Sequence, residues 1–214
     1  MEQNVQSVYD IWAETYDEQE NKTRDLDKEA TKYMLSKIIN LSTEVLEFGC
    51  GTGKNTEWLV EHTAQITSVD FSEEMLNKAK QKITSPNLSF KQADITKYWP
   101  FTNQSFNTIT CNLILEHVQQ LDFIFSEAQR ILKWNGYFFI SELHPVKQYI
   151  GSKARFELNN KSVSPDCFTH HISDYFSSAT KFDFICMELR EWFDDDNRNT
   201  VPRLINFLFQ KRGD

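Results

Sequence analysis

The sequence predicts an α/β fold built on a mostly parallel sheet with helices on both faces and a reversed last strand. Three observations lead there. Short apolar runs of strand length alternate with stretches of helical period, the pattern of strand–helix–strand crossovers. A glycine-rich turn, Gly49-Cys50-Gly51-Thr52-Gly53, ends the first apolar run. The last two runs are joined by the acidic loop Asp194 to Pro202 with no helical stretch between them, as antiparallel neighbours require.

Taken in order, residues 1–20 carry Val5, Val8, Tyr9, Trp12, Ala13 and Tyr16 at three- and four-residue steps, which predicts an amphipathic helix with aromatic anchors. Asp25 to Asn40 repeats the pattern through Leu26, Ala30, Tyr33, Met34, Ile38 and Ile39. Strand Glu44 to Phe48, the glycine turn and a helix over 54–62 follow. Gln65 to Val69 reads as a strand, and Ser72 to Lys82 as a helix with Glu73 and Glu74 complementing its dipole. Further strands fall at Leu88 to Gln92 and Phe106 to Cys111, then a helix at Leu121 to Leu132, ended by Trp134-Asn135-Gly136, and a strand at Tyr137 to Leu143. The polar segment 144–171 breaks the rhythm and reads as an insertion over the surface. A helix at Ile172 to Thr180 and strands at Phe182 to Trp192 and Leu204 to Lys211 complete the chain.

With 214 residues, 40% of them hydrophobic and 14% aromatic, the chain suits one well-filled domain, 1–214. A formal charge of −8 argues against a phosphate backbone as partner, so no nucleic acid is expected. The four cysteines, 50, 111, 167 and 186, show neither a C-x-x-C pair nor a disulfide ladder. No cluster of ligands has metal-site spacing, so no metal is expected. The first twenty residues lack a signal-peptide profile and no apolar run reaches membrane-spanning length. A cytoplasmic protein without membrane insertion is the expectation; the oligomeric state is not legible.

The chemistry concentrates at Val45-Leu46-Glu47-Phe48-Gly49-Cys50-Gly51-Thr52-Gly53. Glycines there let the backbone turn sharply out of the strand and leave room for a ligand against it. A dinucleotide fingerprint needs glycine at position 54, which is Lys54. Glu47, two residues before the first glycine, would repel a pyrophosphate and attract a cationic ligand.

This block resembles the class I S-adenosylmethionine-dependent methyltransferases, in particular the methyltransferase-11 or ubiquinone-biosynthesis-like group. The resemblance extends through Ser68-Val69-Asp70-Phe71-Ser72, Lys91-Gln92-Ala93-Asp94-Ile95, Phe106 to Val118, Ile131 to Leu143, and Tyr9-Asp10-x-x-Ala13-x-x-Tyr16-Asp17. It implies a Rossmann-like seven-stranded sheet and S-adenosylmethionine as cofactor, with S-adenosylhomocysteine as product. It implies a cofactor site of Tyr16, Glu47, Gly49, Cys50, Gly51, Gly53, Asp70, Phe71, Met75, Asp94, Ile95 and Asn112. In it Asp70 meets the ribose, Asp94 and Ile95 the adenine, and Asn112 contributes backbone. The N-terminal helices, 1–40, would cover the cofactor, and 144–171 would form a lid over the acceptor.

Methyl transfer to a small-molecule O-, N- or C-nucleophile by in-line displacement is the implied reaction. Positioning and water exclusion carry much of its rate, and some acceptors need a base. Candidates for that base are His117, His144, His170 and His171, because ligands of open α/β sheets bind beyond the carboxyl ends of the strands. Phe168 to Tyr175 resembles a Tyr-His-His/Arg-x-Leu-Ser-x-Tyr segment of small-molecule members, with Thr169 in place of the first histidine. Tyr149, Phe156, Phe168 and Trp192 are candidates for an aromatic acceptor pocket. A non-catalytic cofactor-binding partner or sensor remains an alternative, as does a protein or nucleic-acid methyltransferase. The Asn/Asp-Pro-Pro-Tyr/Phe block of base methylation is replaced by Cys111-Asn112-Leu113-Ile114.

Overall fold

A computed structural model describes residues 5–18, 20–152, 156–158 and 161–213, giving backbone only for 156–158 and 161–163. The side chain of Phe156 and parts of the expected 1–40 and 144–171 segments thus lie outside the described residues. The elements run α1 (Val5–Trp12), α2 (Lys22–Leu35), β1 (Glu44–Phe48), α3 (Thr56–His62), β2 (Gln65–Asp70), α4 (Glu73–Lys82), β3 (Leu88–Gln92) and β4 (Phe106–Asn112). After a 3-10 turn at Leu115–His117 come α5 (Leu121–Ile131), β5 (Leu132–Leu143), α6 (Pro145–Tyr149), β6 (Phe156–Leu158), β7 (Lys161–Val163), α7 (Ile172–Lys181), β8 (Phe184–Trp192) and β9 (Leu204–Lys211).

Seven strands form one sheet in the order β3-β2-β1-β4-β5-β9-β8, and β6 pairs with β7 in a separate hairpin. Pairing is parallel from β3 to β5, while β9 runs antiparallel to both β5 and β8, so the last strand is the reversed one. Side chains alternate between the faces of a strand, so each face needs its own cover. On one face Val45, Ile66, Phe139 and Leu208 meet Met34, Leu35 and Leu59 of α2 and α3. On the other, Leu46, Phe48, Phe138 and Phe209 meet Ile124, Phe125 and Ala128 of α5 and Tyr175 of α7. Phe125 lies edge-on to Phe138, Phe184 and Phe209 with centroids 5.3, 5.8 and 5.4 Å away.

Departures from the sequence expectation have local causes. The first helix stops at Trp12, because Asp17 turns to accept from Thr52 Oγ1 and to pair with Lys82, and the Tyr16 carbonyl accepts from Arg24. The second helix starts early on an Asn21 cap, whose side chain accepts from Thr23 and Arg24 amides, and ends at Leu35. β5 begins at Leu132, five residues before Tyr137, since Leu132 pairs with Phe106 and the left-handed Asn135 (φ 61°) is absorbed in a register shift. The segment 144–171 holds α6 and the β6–β7 hairpin rather than only irregular chain.

Strand order reverses between β1 and β4, and the carboxyl ends of these strands are where a cleft opens in such a sheet. Replacing Phe125 by alanine at the centre of the aromatic cluster should cost about 3–5 kcal/mol. Urea unfolding checks this; a loss near zero would mean that the cluster does not hold α5 to the sheet.

Candidate active site

At the end of β1 the chain turns through Gly49, Gly51 and Gly53, all in the left-handed region with φ of 72°, 53° and 92°. Two of these positions also lack room. A Cβ at Gly49 would lie 2.2 Å from Ile114 Cγ2, and one at Gly53 would lie 2.6 Å from Ile83 Cδ1 at the end of α4. Gly51 faces open space instead, with nothing within 4 Å of where a Cβ would stand.

Asp70, at the end of β2, locks this turn. Its Oδ2 accepts from the Gly51 amide at 2.8 Å and its Oδ1 from the Ser72 amide at 2.9 Å. Burial raises its pKa to about 6 despite those bonds. Glu47 is buried beneath the turn, where Thr56 and Ser68 hydroxyls donate to Oε2 at 2.6 and 2.7 Å. Desolvation lifts it to about 7. Asp27 of α2 accepts from Asn112 Nδ2 at 2.8 Å, Ser141 Oγ at 2.5 Å and Asn55 Nδ2 at 3.0 Å. One carboxylate thereby ties α2 to β4, to β5 and to the start of α3, and burial raises its pKa.

A cavity of about 270 Å³ lies above these groups. Tyr16, Gly49, Cys50, Gly51, Asp70, Phe71, Met75, Asp94, Ile95, Asn112 and His117 of the expected set line it. Glu47 and Gly53 are not in its lining: Glu47 supports the floor from below and Gly53 lets α4 pack close. The Asn112 side chain is spent on Asp27 and Thr31, which leaves its backbone for a ligand. Asp94 accepts from the Thr96 amide and hydroxyl at the cavity edge.

The N-terminal segment packs over the cavity. Ser72 Oγ donates to Asp10 at 2.6 Å, Thr52 Oγ1 donates to Asp17 at 2.7 Å, and Tyr9 packs against Phe71 with centroids 5.7 Å apart. The Arg24 guanidinium sits 4.0 Å from the centre of the Tyr16 ring and lines the cavity beside Asp27.

His117 lines the cavity from the 3-10 turn after β4. Its Nδ1 faces the Asp166 carbonyl at 2.8 Å, so Nδ1 carries the proton and Nε2 is the acceptor. The Tyr9 hydroxyl donates to that Nε2 at 2.9 Å. Removal from water pushes the Tyr9 phenol well above the ordinary tyrosine range, which keeps it a neutral donor. A Glu116 carboxylate oxygen stands 3.9 Å from the same nitrogen.

His144 and His170 do not line the cavity. His144 caps α6 through Nδ1, faces Glu191 through Nε2 at 3.1 Å, and has its pKa lowered by burial. His170 Nε2 is held by the Val118 carbonyl at 2.7 Å, with Tyr175 edge-on to its ring. The adjacent His171 ends against the Tyr149 hydroxyl. Trp192, another aromatic candidate, is not in the cavity lining; it donates to Asn206 at 2.6 Å and packs against Tyr33. The sequence reading did not single out Tyr9 as a reacting-end group, nor Arg24, Asp27 and Asn55. Asp27 had a visible signal: it shares helical spacing with Ala30, Thr31 and Met34, a carboxylate on a buried stripe. Among the described residues no group of three or more His, Cys, Asp or Glu side chains could hold a metal ion, and no helix is long and apolar enough to cross a membrane.

Residues 46–140 match the model of a methyltransferase domain family. The chain is 31% identical over 115 residues to a ubiquinone biosynthesis O-methyltransferase of Coxiella burnetii, covering 53% of this chain and 49% of that one. It is 32% identical over 130 residues to phosphoethanolamine N-methyltransferase 3 of Arabidopsis thaliana, covering 58% and 26%. The chain thus spans about half or less of the curated relatives it matches. Among solved structures, the DhpI-SAM-HEP complex superposes with a TM-score of 0.73 at 20% identity, covering 95% of this chain and 94% of that one. A putative S-adenosylmethionine dependent methyltransferase of Listeria monocytogenes gives 0.71 at 20% identity, with 86% and 99% covered.

The raised pKa of Glu47 predicts a pH dependence of stability. The unfolded chain releases this proton near 4.5 and the folded protein near 7. The folded state therefore binds the extra proton, and the associated stability, complete below the lower value, is lost as pH rises through the upper one. Urea unfolding of the ligand-free protein should show stability falling across this window, and Glu47→Gln should flatten the fall; equal slopes would contradict the assignment.

Proposed function

We propose that this chain is a class I S-adenosylmethionine-dependent methyltransferase, as its match to a methyltransferase domain family and its similarity to an O-methyltransferase support, and that it transfers a methyl group to a small-molecule acceptor whose nucleophile meets His117. The observation that carries the reading is the Tyr9–His117 contact at 2.9 Å, made in the cavity that the glycine turn and Asp70 also line. The names of two relatives, a ubiquinone biosynthesis O-methyltransferase and a phosphoethanolamine N-methyltransferase, favour the same acceptor class.

The residues present fit the cofactor. Gly51 leaves open space where any side chain would intrude, and Asp70 offers carboxylate oxygens bonded only to backbone amides. Phe71, Met75 and Ile95 give apolar walls suited to a flat base, and Asp94 stands beside them for its amino group. Arg24 supplies a cation for a carboxylate, and Asp27 in the lining and Glu47 beneath it, both raised in pKa by burial, are acids whose ionised form a cationic ligand would favour. Cys50 contributes a small buried thiol and Tyr16 a ring held by Arg24. When bound, the cofactor supplies a methyl group on a positively charged sulfur, open to in-line attack.

The rest is the protein's work. Packed over the cavity, α1 covers the cofactor, and the segment 164–171, brought to His117 through the Asp166 carbonyl, closes the acceptor side. Exclusion of water there strengthens each electrostatic contact. His117 is the proton acceptor: its Nε2 takes the nucleophile's proton directly or through the Tyr9 hydroxyl, while Asp166 holds Nδ1–H and Glu116 stabilises the imidazolium formed. His144 and His170 act as positioning residues, anchoring α6 and the segment before α7.

The test is a screen of small phenols, amines and carbon acids with methyl-labelled cofactor. His117→Ala should lower kcat roughly 10²- to 10⁴-fold with cofactor affinity unchanged, and Tyr9→Phe should lower it less. Full turnover by His117→Ala would remove it from the reaction. Asp70→Ala should instead weaken cofactor binding by about 1–3 kcal/mol through lost hydrogen bonds to a charged group, read by titration; unchanged affinity would sink the ribose assignment.

A further inference from the structure

We propose that two copies of this chain associate by antiparallel pairing of β8 with β8 about a two-fold axis at Leu189, making one continuous sheet. The two edges of the sheet differ in kind. β3 is five residues long and carries Ser89, Lys91 and Gln92, the short polar edge that resists pairing. β8 is nine residues long, holds the other terminal place in the strand order, and exposes Ile185, Met187 and Leu189 at 43%, 53% and 39%. Phe176 of α7, 37% exposed, adds to this surface beside Phe207, the strand partner of Leu189. An apolar edge of this length is a template for a further strand.

Charge and parity select the second copy and its register. Opposed residues in an antiparallel pair share a face, and rotation about an axis normal to the sheet preserves faces. The axis must therefore pass at a residue rather than between two. Placed at Glu188 it sets carboxylate against carboxylate, and placed at Arg190 it sets guanidinium against guanidinium. Placed at Leu189 it sets Arg190 of each copy opposite Glu188 of the other, twice over, with Leu189 against its own copy. Both charges stand on the sheet face of Leu208 and Asn206, their partners in β9, so the cross-strand pairs lie on one face. They are held there: Lys37 Nζ lies 2.7 Å from Glu188 and the Arg190 guanidinium 4.3 Å from the Tyr33 ring centre. The regular stretch after the register shift between Cys186 and Glu188 supplies the opposed residues 188, 189 and 190, and the shift itself, at Met187, falls opposite Glu191 of the other copy. None of these side chains lines the cofactor cavity, so the pairing is independent of catalysis.

Sedimentation over a concentration series tests the proposal. The unmodified protein should run as a dimer, Arg190→Glu and Glu188→Arg each as a monomer, and the double reversal as a dimer again. Leu189→Cys, in a Cys186→Ser background, should form a symmetric disulfide dimer with oxidised glutathione, because opposed residues in an antiparallel pair bring Cα atoms within disulfide reach. A protein monomeric at every concentration would overturn the proposal, as would a dimer indifferent to both reversals. Where circular dichroism shows a charge variant misfolded, the cross-link decides, and its absence overturns the pairing.

Discussion

The site hangs on a carboxylate that accepts two backbone amides. Asp70 holds the Gly51 amide on one oxygen and the Ser72 amide on the other, so the turn after β1 and the start of α4 are set by the end of β2. Three left-handed glycines make the turn sterically available, and Asp70 makes it singular. Ser72 in turn caps α4 through the Met75 amide and donates to Asp10, bringing the N-terminal segment over the same cavity. Floor, wall and cover thus share one short network.

That network lies in a setting hostile to anions. Glu47, Asp70 and Asp27 are all buried, and desolvation raises the pKa of each. Glu116 and Glu142, farther along the same side, are raised too, with Glu142 accepting the Ile114 and Leu115 amides that shape the loop before His117. A cationic ligand relieves part of this cost, whereas a dianionic phosphate would add to it. On the proposed function, this burden is also what would favour a cationic ligand. His117 is placed differently: backbone and phenol contacts fix its tautomer.

The fold was legible because strand length and alternation are local properties. The runs at 44–48, 88–92 and 204–211 coincide with β1, β3 and β9. Where tertiary contacts override propensity the boundaries moved, as at Trp12, Leu35 and Leu132. The convergence of the expected residues on one cavity was also legible, since glycine spacing and the acids ending β2 and following β3 are encoded within a few residues of each strand. The acceptor end was not. Which histidine reaches the cavity depends on the path of 144–171, and neither the capture of His170 by the Val118 carbonyl nor that of His144 by Glu191 has a local signature. Tyr9 and His117 stand 108 residues apart, and only the fold brings them together.

Calorimetric titration of the unmodified protein with S-adenosylmethionine and S-adenosylhomocysteine tests the central claim most directly. The account predicts saturable one-to-one binding of both. It also predicts proton release near neutral pH on binding of the cationic form, as positive charge near Glu47 and Asp70 lowers their raised pKa values. Absence of binding by either compound would contradict it.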